Sequence, residues 1–126
     1  MKNETVANIN TNFNGLIRKW VSFTHPFHKL APQEQETLTA LLIFYFKFKK
    51  TIKDEDVVWK MVFDYDTRAK MGVMINSKDY TLQNNLTKLR KKKVLKDNKV
   101  VPNFIPNIEP DCKNFKLIYN FTVKND

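Results

Sequence analysis

The chain has 126 residues, 42% of them hydrophobic and ten of them Phe, enough for one core and too few for two. Lys and Arg number 22 against 13 Asp and Glu, a net charge of +9, which points to polyanionic partners, nucleic acid first; the fourteen Asn indicate that AT-rich codon usage supplies part of the lysine. A single cysteine, Cys112, excludes a disulfide framework within the chain and a thiolate-rich zinc site.

Residues 1–14 are polar and Asn-rich and read as an arm without structure of its own. They lack the apolar centre of a signal peptide. The longest apolar run, residues 41–46, is far short of a membrane span. An intracellular protein, neither secreted nor membrane-bound, is therefore expected. Leu16, Ile17, Trp20 and Val21 suit a short helix, which Thr24-His25-Pro26 breaks because the residue before proline avoids helix.

A long core helix is expected over 32–50. Pro32 sits in the first turn, where it is tolerated, and Glu34 and Glu36 follow where the helix dipole favours anions. Leu38, Leu41, Leu42, Tyr45, Phe46 and Phe48 give it a broad apolar stripe. A second helix over 54–63 opens on Asp54-Glu55-Asp56, with Val57, Val58, Met61 and Val62 at core spacing. A third, over 67–75, is capped by Asp66, with Ala69, Met71 and Val73 available for packing. Gly72 inside it implies close contact or an early end.

Residues 77–102 read SKDYTLQNNLTKLRKKKVLKDNKVVP. Leu82, Leu86 and Leu89 are spaced i, i+4, i+7 and define the inner face of a helix over 79–92. Thr81, Gln83, Asn84, Asn85 and Lys88 are assigned to the other face. Two short apolar runs around Asp97-Asn98 predict a hairpin over 94–101. The prolines of residues 102–110 exclude helix and central strand, and Phe104, Ile105 and Ile108 have no evident place in so small a core. Phe115, Leu117, Tyr119, Phe121 and Val123 alternate with more polar residues, which predicts a strand over 115–123, added to the hairpin or to residues 51–53. Leu38, Leu41, Leu42, Phe46, Val58, Val62, Leu82, Leu86 and Leu89 form the expected core.

The segment 32–102, with its core helix, helix-turn-helix ending LTKLRKKKVL and wing KDNK, resembles the winged helix-turn-helix superfamily. Lys93 stands where that family often has glycine. The resemblance implies an α+β fold of three to four helices and a small antiparallel sheet, with extended N- and C-terminal segments. An arm and short helix occupy 1–30, and the winged-helix domain with its C-terminal strand occupies 31–126. It makes the 79–92 helix a recognition helix. Thr81, Gln83, Asn84 and Lys88 then face a DNA groove, since Asn and Gln read adenine and Lys reads guanine. Arg90, Lys91, Lys92, Lys93, Lys96 and Lys99 line phosphates, which position without specifying.

Catalysis is not expected. His25-Pro-Phe-His28 lacks further metal ligands, Cys112 has no His beside it, and the carboxylates at 54–56, 64 and 66 sit where helix caps need them. No cofactor and no metal follow from the residues.

The Lys/Asn-rich style, and the segments SFTHPFHKLAPQEQETLTALLIFYF and DYTLQNNLTKLRKKKVLKDNKVVPNFIPNI, are similar to small proteins of crAss-like tailed bacteriophages. That resemblance implies a virion structural component of the neck or portal-ring region. Its partners would be other virion proteins or itself as an oligomer, with duplex DNA a further partner, and its location the virion or host cytoplasm. The alternative is a transcription or replication regulator that binds double-stranded DNA.

Overall fold

The computed structural model describes residues 3–125; Met1 and Lys2 of the expected arm, and Asp126 at the far end of the second expected segment, lie outside them. Residues 3–12 carry no regular structure and are exposed. Helix α1, Phe13–Phe23, then starts where Asn12 accepts from the Gly15 N–H at 2.7 Å, an N-cap of the preferred type. Ile17 and Val21 are fully buried, so α1 shares the core of the rest of the chain. The expected break falls at Thr24, but Pro26 is inside the first turn of a four-residue helix, α2, His25–His28.

Helix α3, Pro32–Lys49, begins with the Glu34 carboxylate accepting from the Ala31 N–H at 3.2 Å. Every residue from Thr37 to Phe46 is buried. The expected stripe is thus a helix enclosed on all sides, because α1 and the three helices that follow all pack on it. Thr37 and Thr39 are tolerated inside because their hydroxyls donate to Gln33 O and Gln35 O at 3.1 and 2.8 Å.

Helix α4, Glu55–Val62, is capped by Asp54, which accepts from the Asp56 N–H at 2.9 Å. It is rotated from its expected setting. Val58 and Val62 are buried as expected, but Val57 and Met61 are exposed and Trp59 is buried instead. The indole stacks on Tyr45 with centroids 4.5 Å apart, and an aromatic pair buries more area than Val57 and Met61 offer. The Tyr45 hydroxyl donates to Glu55 and accepts from Lys49, closing that end of the α3–α4 seam.

Helix α5, Tyr65–Met74, starts two residues earlier than expected because Asp64, not Asp66, caps it through the Tyr65 N–H at 2.9 Å. Met71 is buried, whereas Val73 and Ala69 face out. The turn after α5 shows why residue 72 is glycine. Ser77 N–H donates to Gly72 O at 2.8 Å, Asn76 N–H donates to Val73 O, and Asn76 is left-handed at φ 51°, the Schellman ending. A Cβ on Gly72 would lie 2.8 Å from Ser77 O.

Helix α6, Asp79–Lys91, ends the same way. Val94 N–H reaches Leu89 O and Lys93 N–H reaches Arg90 O, both at 3.0 Å, with Lys93 at φ 63°. Lysine therefore occupies the position that favours glycine, at a steric cost of about 1 kcal/mol. Lys93→Gly is expected to raise stability by about 0.5 kcal/mol once glycine's greater unfolded-state entropy is subtracted, readable in urea denaturation.

Strands β1, Leu95–Lys96, and β2, Lys99–Val100, pair antiparallel with Leu95 opposite Val100. Asp97 and Asn98 are both left-handed, at φ 53° and 56°, as a type I′ hairpin turn requires. Leu95 and Val100 point into the core. The result is an α+β domain of six helices and one two-stranded antiparallel sheet among the described residues. All nine expected core residues are buried, none more than 2% exposed. Among the described residues, no helix is long and apolar enough to cross a membrane.

Two expectations beyond the hairpin are corrected. Pro102–Phe104 forms a 3₁₀ turn, and Phe104, Ile105 and Ile108 pack half-buried against the core. The Trp20 indole N–H donates to Phe104 O at 2.9 Å and holds this segment on α1. The strand expected over 115–123 is also absent, and residues 51–53 form none. The segment 113–125 carries no regular structure and pairs with no strand among the described residues. It runs along α1 and α2: Phe115 meets Trp20 edge-on, Tyr119 stacks on Phe27, and the Tyr119 hydroxyl donates to Phe23 O.

Candidate nucleic-acid interface

The setting of α6 follows from its inner line. Leu82, Asn85, Leu86 and Leu89 are buried, the i, i+3, i+4, i+7 stripe of a helix lying on a core. Asn85, assigned to the outer face from its polarity, is thus an inner residue. The opposite face exposes Tyr80, Asn84, Thr87, Lys88 and Lys91. Thr81 and Gln83 flank the stripe and are half-buried, and the Gln83 amide nitrogen is enclosed with no protein partner. Asn84 and Lys88 are accordingly the freest of the expected base-reading residues. Tyr80 and Thr87 were not expected there; the leucine spacing, followed round the helix, places both opposite the core.

The cations divide into two sets. Lys92 turns back across 58 residues of sequence to bind the buried carboxylate of Glu34 at 2.6 Å. Lys99, on β2, is paired with Asp56 at the start of α4. Arg90 reaches the hairpin turn, 3.4 Å from Asn98 Oδ1. Lys88, Lys91, Lys93 and Lys96 are exposed and make no ion pair among the described residues. The structure therefore brings Asn84, Lys88 and Lys91 onto one helix face, with Lys93 and Lys96 on the turn and strand that continue it. Lys92 and Lys99 are instead engaged by carboxylates of the chain itself, Glu34 and Asp56.

The remaining polar clusters are accounted for inside the fold. The Leu30 N–H donates to Nδ1 of His28 at 3.0 Å, and His28 Nε2 lies 2.7 Å from Val21 O. A neutral imidazole protonated on Nε2 satisfies both bonds, so neither nitrogen is free. Among the described residues, no group of three or more His, Cys, Asp or Glu could hold a metal ion. Asp54 and Asp64 are caps, Glu55 accepts from Tyr45, and Asp56 binds Lys99. Cys112 is half-buried.

These buried groups set the acid response. Burial pushes His28 below its ordinary value of 6.5. The hydrogen bond from Lys92 holds the Glu34 carboxyl below its ordinary 4.5. For His28 the unfolded chain takes up a proton where the folded one does not. Its contribution is complete above pH 6.5 and shrinks as pH falls below that value. The Glu34 contribution is complete above 4.5 and is lost as pH falls through its folded value. Melting temperature is therefore expected to fall in two stages on acidification. His28→Gln should remove the first stage and leave the second.

No family model, no curated protein and no solved structure matches the chain.

Proposed function

We propose that the chain is a non-catalytic winged helix-turn-helix module that binds duplex DNA through the outer face of α6 and the hairpin. The observation that carries this reading is a set of exposed residues, Asn84, Lys88 and Lys91 on one face of α6 and Lys93 and Lys96 on the turn and strand that follow it, whose lysines make no ion pair among the described residues. In that role α5 and α6 are the helix-turn-helix, α6 is the recognition helix, and β1–β2 is the wing. Asn84 and Tyr80 meet base edges, while the lysines meet phosphates. Salt titration of the full chain on duplex oligonucleotides tests it. Each phosphate contact contributes about −0.9 to the slope of log K against log salt, so the lysines alone give a slope between about −3 and −4. A slope near zero would overturn the reading.

The second reading is a virion component of a tailed phage, docking on other proteins at the neck or portal ring. Phe104, Ile105 and Ile108 do not supply its docking surface, since they pack on the chain's own core. What favours it instead is apolar exposure near both ends: Val6 at 76%, Phe121 at 87% and Val123 at 88%. Tight, sequence-selective duplex binding in the titration favours the first reading, and weak, unselective binding favours the second.

A further inference from the structure

Among the described residues, the main chain from 113 to 125 makes no backbone–backbone hydrogen bond, although its side chains alternate as a strand's do. Phe115 and Tyr119 lie on α1 and α2. Ile118, Phe121 and Val123 are 66%, 87% and 88% exposed. A segment with free donors, free acceptors and exposed β-formers in strand alternation has what a strand needs except a neighbour. The chain's own hairpin, two residues per strand, offers too short an edge to supply one.

We propose that this segment pairs antiparallel with the same segment of a second copy, centred on Ile118. Side-chain register selects the partner and the centre. About Ile118, Phe121 stands opposite Phe115, Tyr119 opposite Leu117, and Val123 opposite the aliphatic stem of Lys113. Ile118 meets itself. Each exposed apolar side chain gains an apolar neighbour, and Lys116 and Lys124 face Asn120 and Cys112. Centring on Tyr119 would set Ile118 against Asn120, and centring on Asn120 would set Lys116 against Lys124. A slip of one residue in the pairing would mix the two faces. The pairing is isologous, the same segment contributing on both sides, so the contact closes as a two-fold dimer. Repulsion between two chains of net charge +9 opposes it and is reduced by salt screening, so association strengthens as salt rises. Neither duplex binding nor particle assembly requires this contact.

Cysteine cross-linking of the full chain, in a Cys112→Ser background with oxidised glutathione, tests the register. Residues opposite each other across an antiparallel pair have Cβ atoms about 4.5–5.5 Å apart. Ile118→Cys is expected to give a disulfide-linked dimer. Thr122→Cys, which stands opposite Asn114, is expected to give none, and adding Leu117→Pro to Ile118→Cys should abolish the cross-link. Equal cross-linking at 118 and 122 would overturn the proposal. So would a native chain that sediments as a monomer at its highest soluble concentration and high salt, in which case the strand's neighbour is another protein. Because the assay contains no DNA, its failure leaves the duplex-binding reading untouched.

Discussion

Leu86→Ala is expected to destabilise the protein by about 2–5 kcal/mol through lost burial and the cavity left behind. Leu86 is 2% exposed and sits between Leu82 and Leu89 on the inner line of α6. That line packs on α3 and continues into β1, so relaxation into the gap would have to move a helix enclosed on all sides. Domains of this size have a total stability of about 5–15 kcal/mol. The substitution therefore removes a large part of it, and urea denaturation should show a lower midpoint with an unchanged slope. A loss below about 0.5 kcal/mol, the range of ordinary surface changes, would mean the inner face of α6 is misassigned, and with it the face proposed to meet DNA.

Replacing Lys88, Lys91 and Lys96 together by Ala should weaken binding to every duplex. The salt slope should become shallower by about 0.9 per contact, nearly three in all. Lys92 is deliberately spared. Removing it would strand the Glu34 carboxylate, 4% exposed, without its cation, and the loss of an internal ion-pair partner is strongly destabilising. Lys88, Lys91 and Lys96 stand in solvent, so melting temperature should stay nearly constant. Unchanged affinity and slope in the triple variant would remove this face from the interface. Asn84→Ala provides the complementary measurement: selectivity among sequences should fall while the salt slope holds.

What could be read in advance, and what could not, divides along a physical line. The α3, α6 and hairpin assignments rest on local signals: Pro32 and Glu34 at a helix start, the Leu82-Leu86-Leu89 spacing, and Asp97-Asn98 between short apolar runs. Each acts within a few residues and is visible in the sequence. Which way a helix is turned depends on its neighbours. Val57 and Met61 lost their core places to Trp59 because Tyr45, on another helix, offers a stacking face. Polarity put Asn85 outside, although its spacing matches the buried leucines. The Lys92–Glu34 pair spans 58 residues, and nothing near either residue announces it. The 115–123 alternation predicts a strand, but a strand needs an edge to pair with. The pattern records what the segment can do, while its conformation in one chain depends on what lies beside it.

The two tryptophans of the chain sit in different seams, which makes the molecule its own optical probe. Trp20 is tied to Phe104 O and touches Phe115, so its emission follows the attachment of the post-hairpin segment to α1. Trp59 lies flat on Tyr45 and is quenched or released with the α3–α4 contact. Single-tryptophan versions carrying Phe at the other site would separate the signals. Coincident unfolding curves would identify one cooperative unit from the N-terminal helix to the hairpin. An earlier Trp20 transition would mean that the outer seam opens first, while the helices holding the α6 surface remain folded.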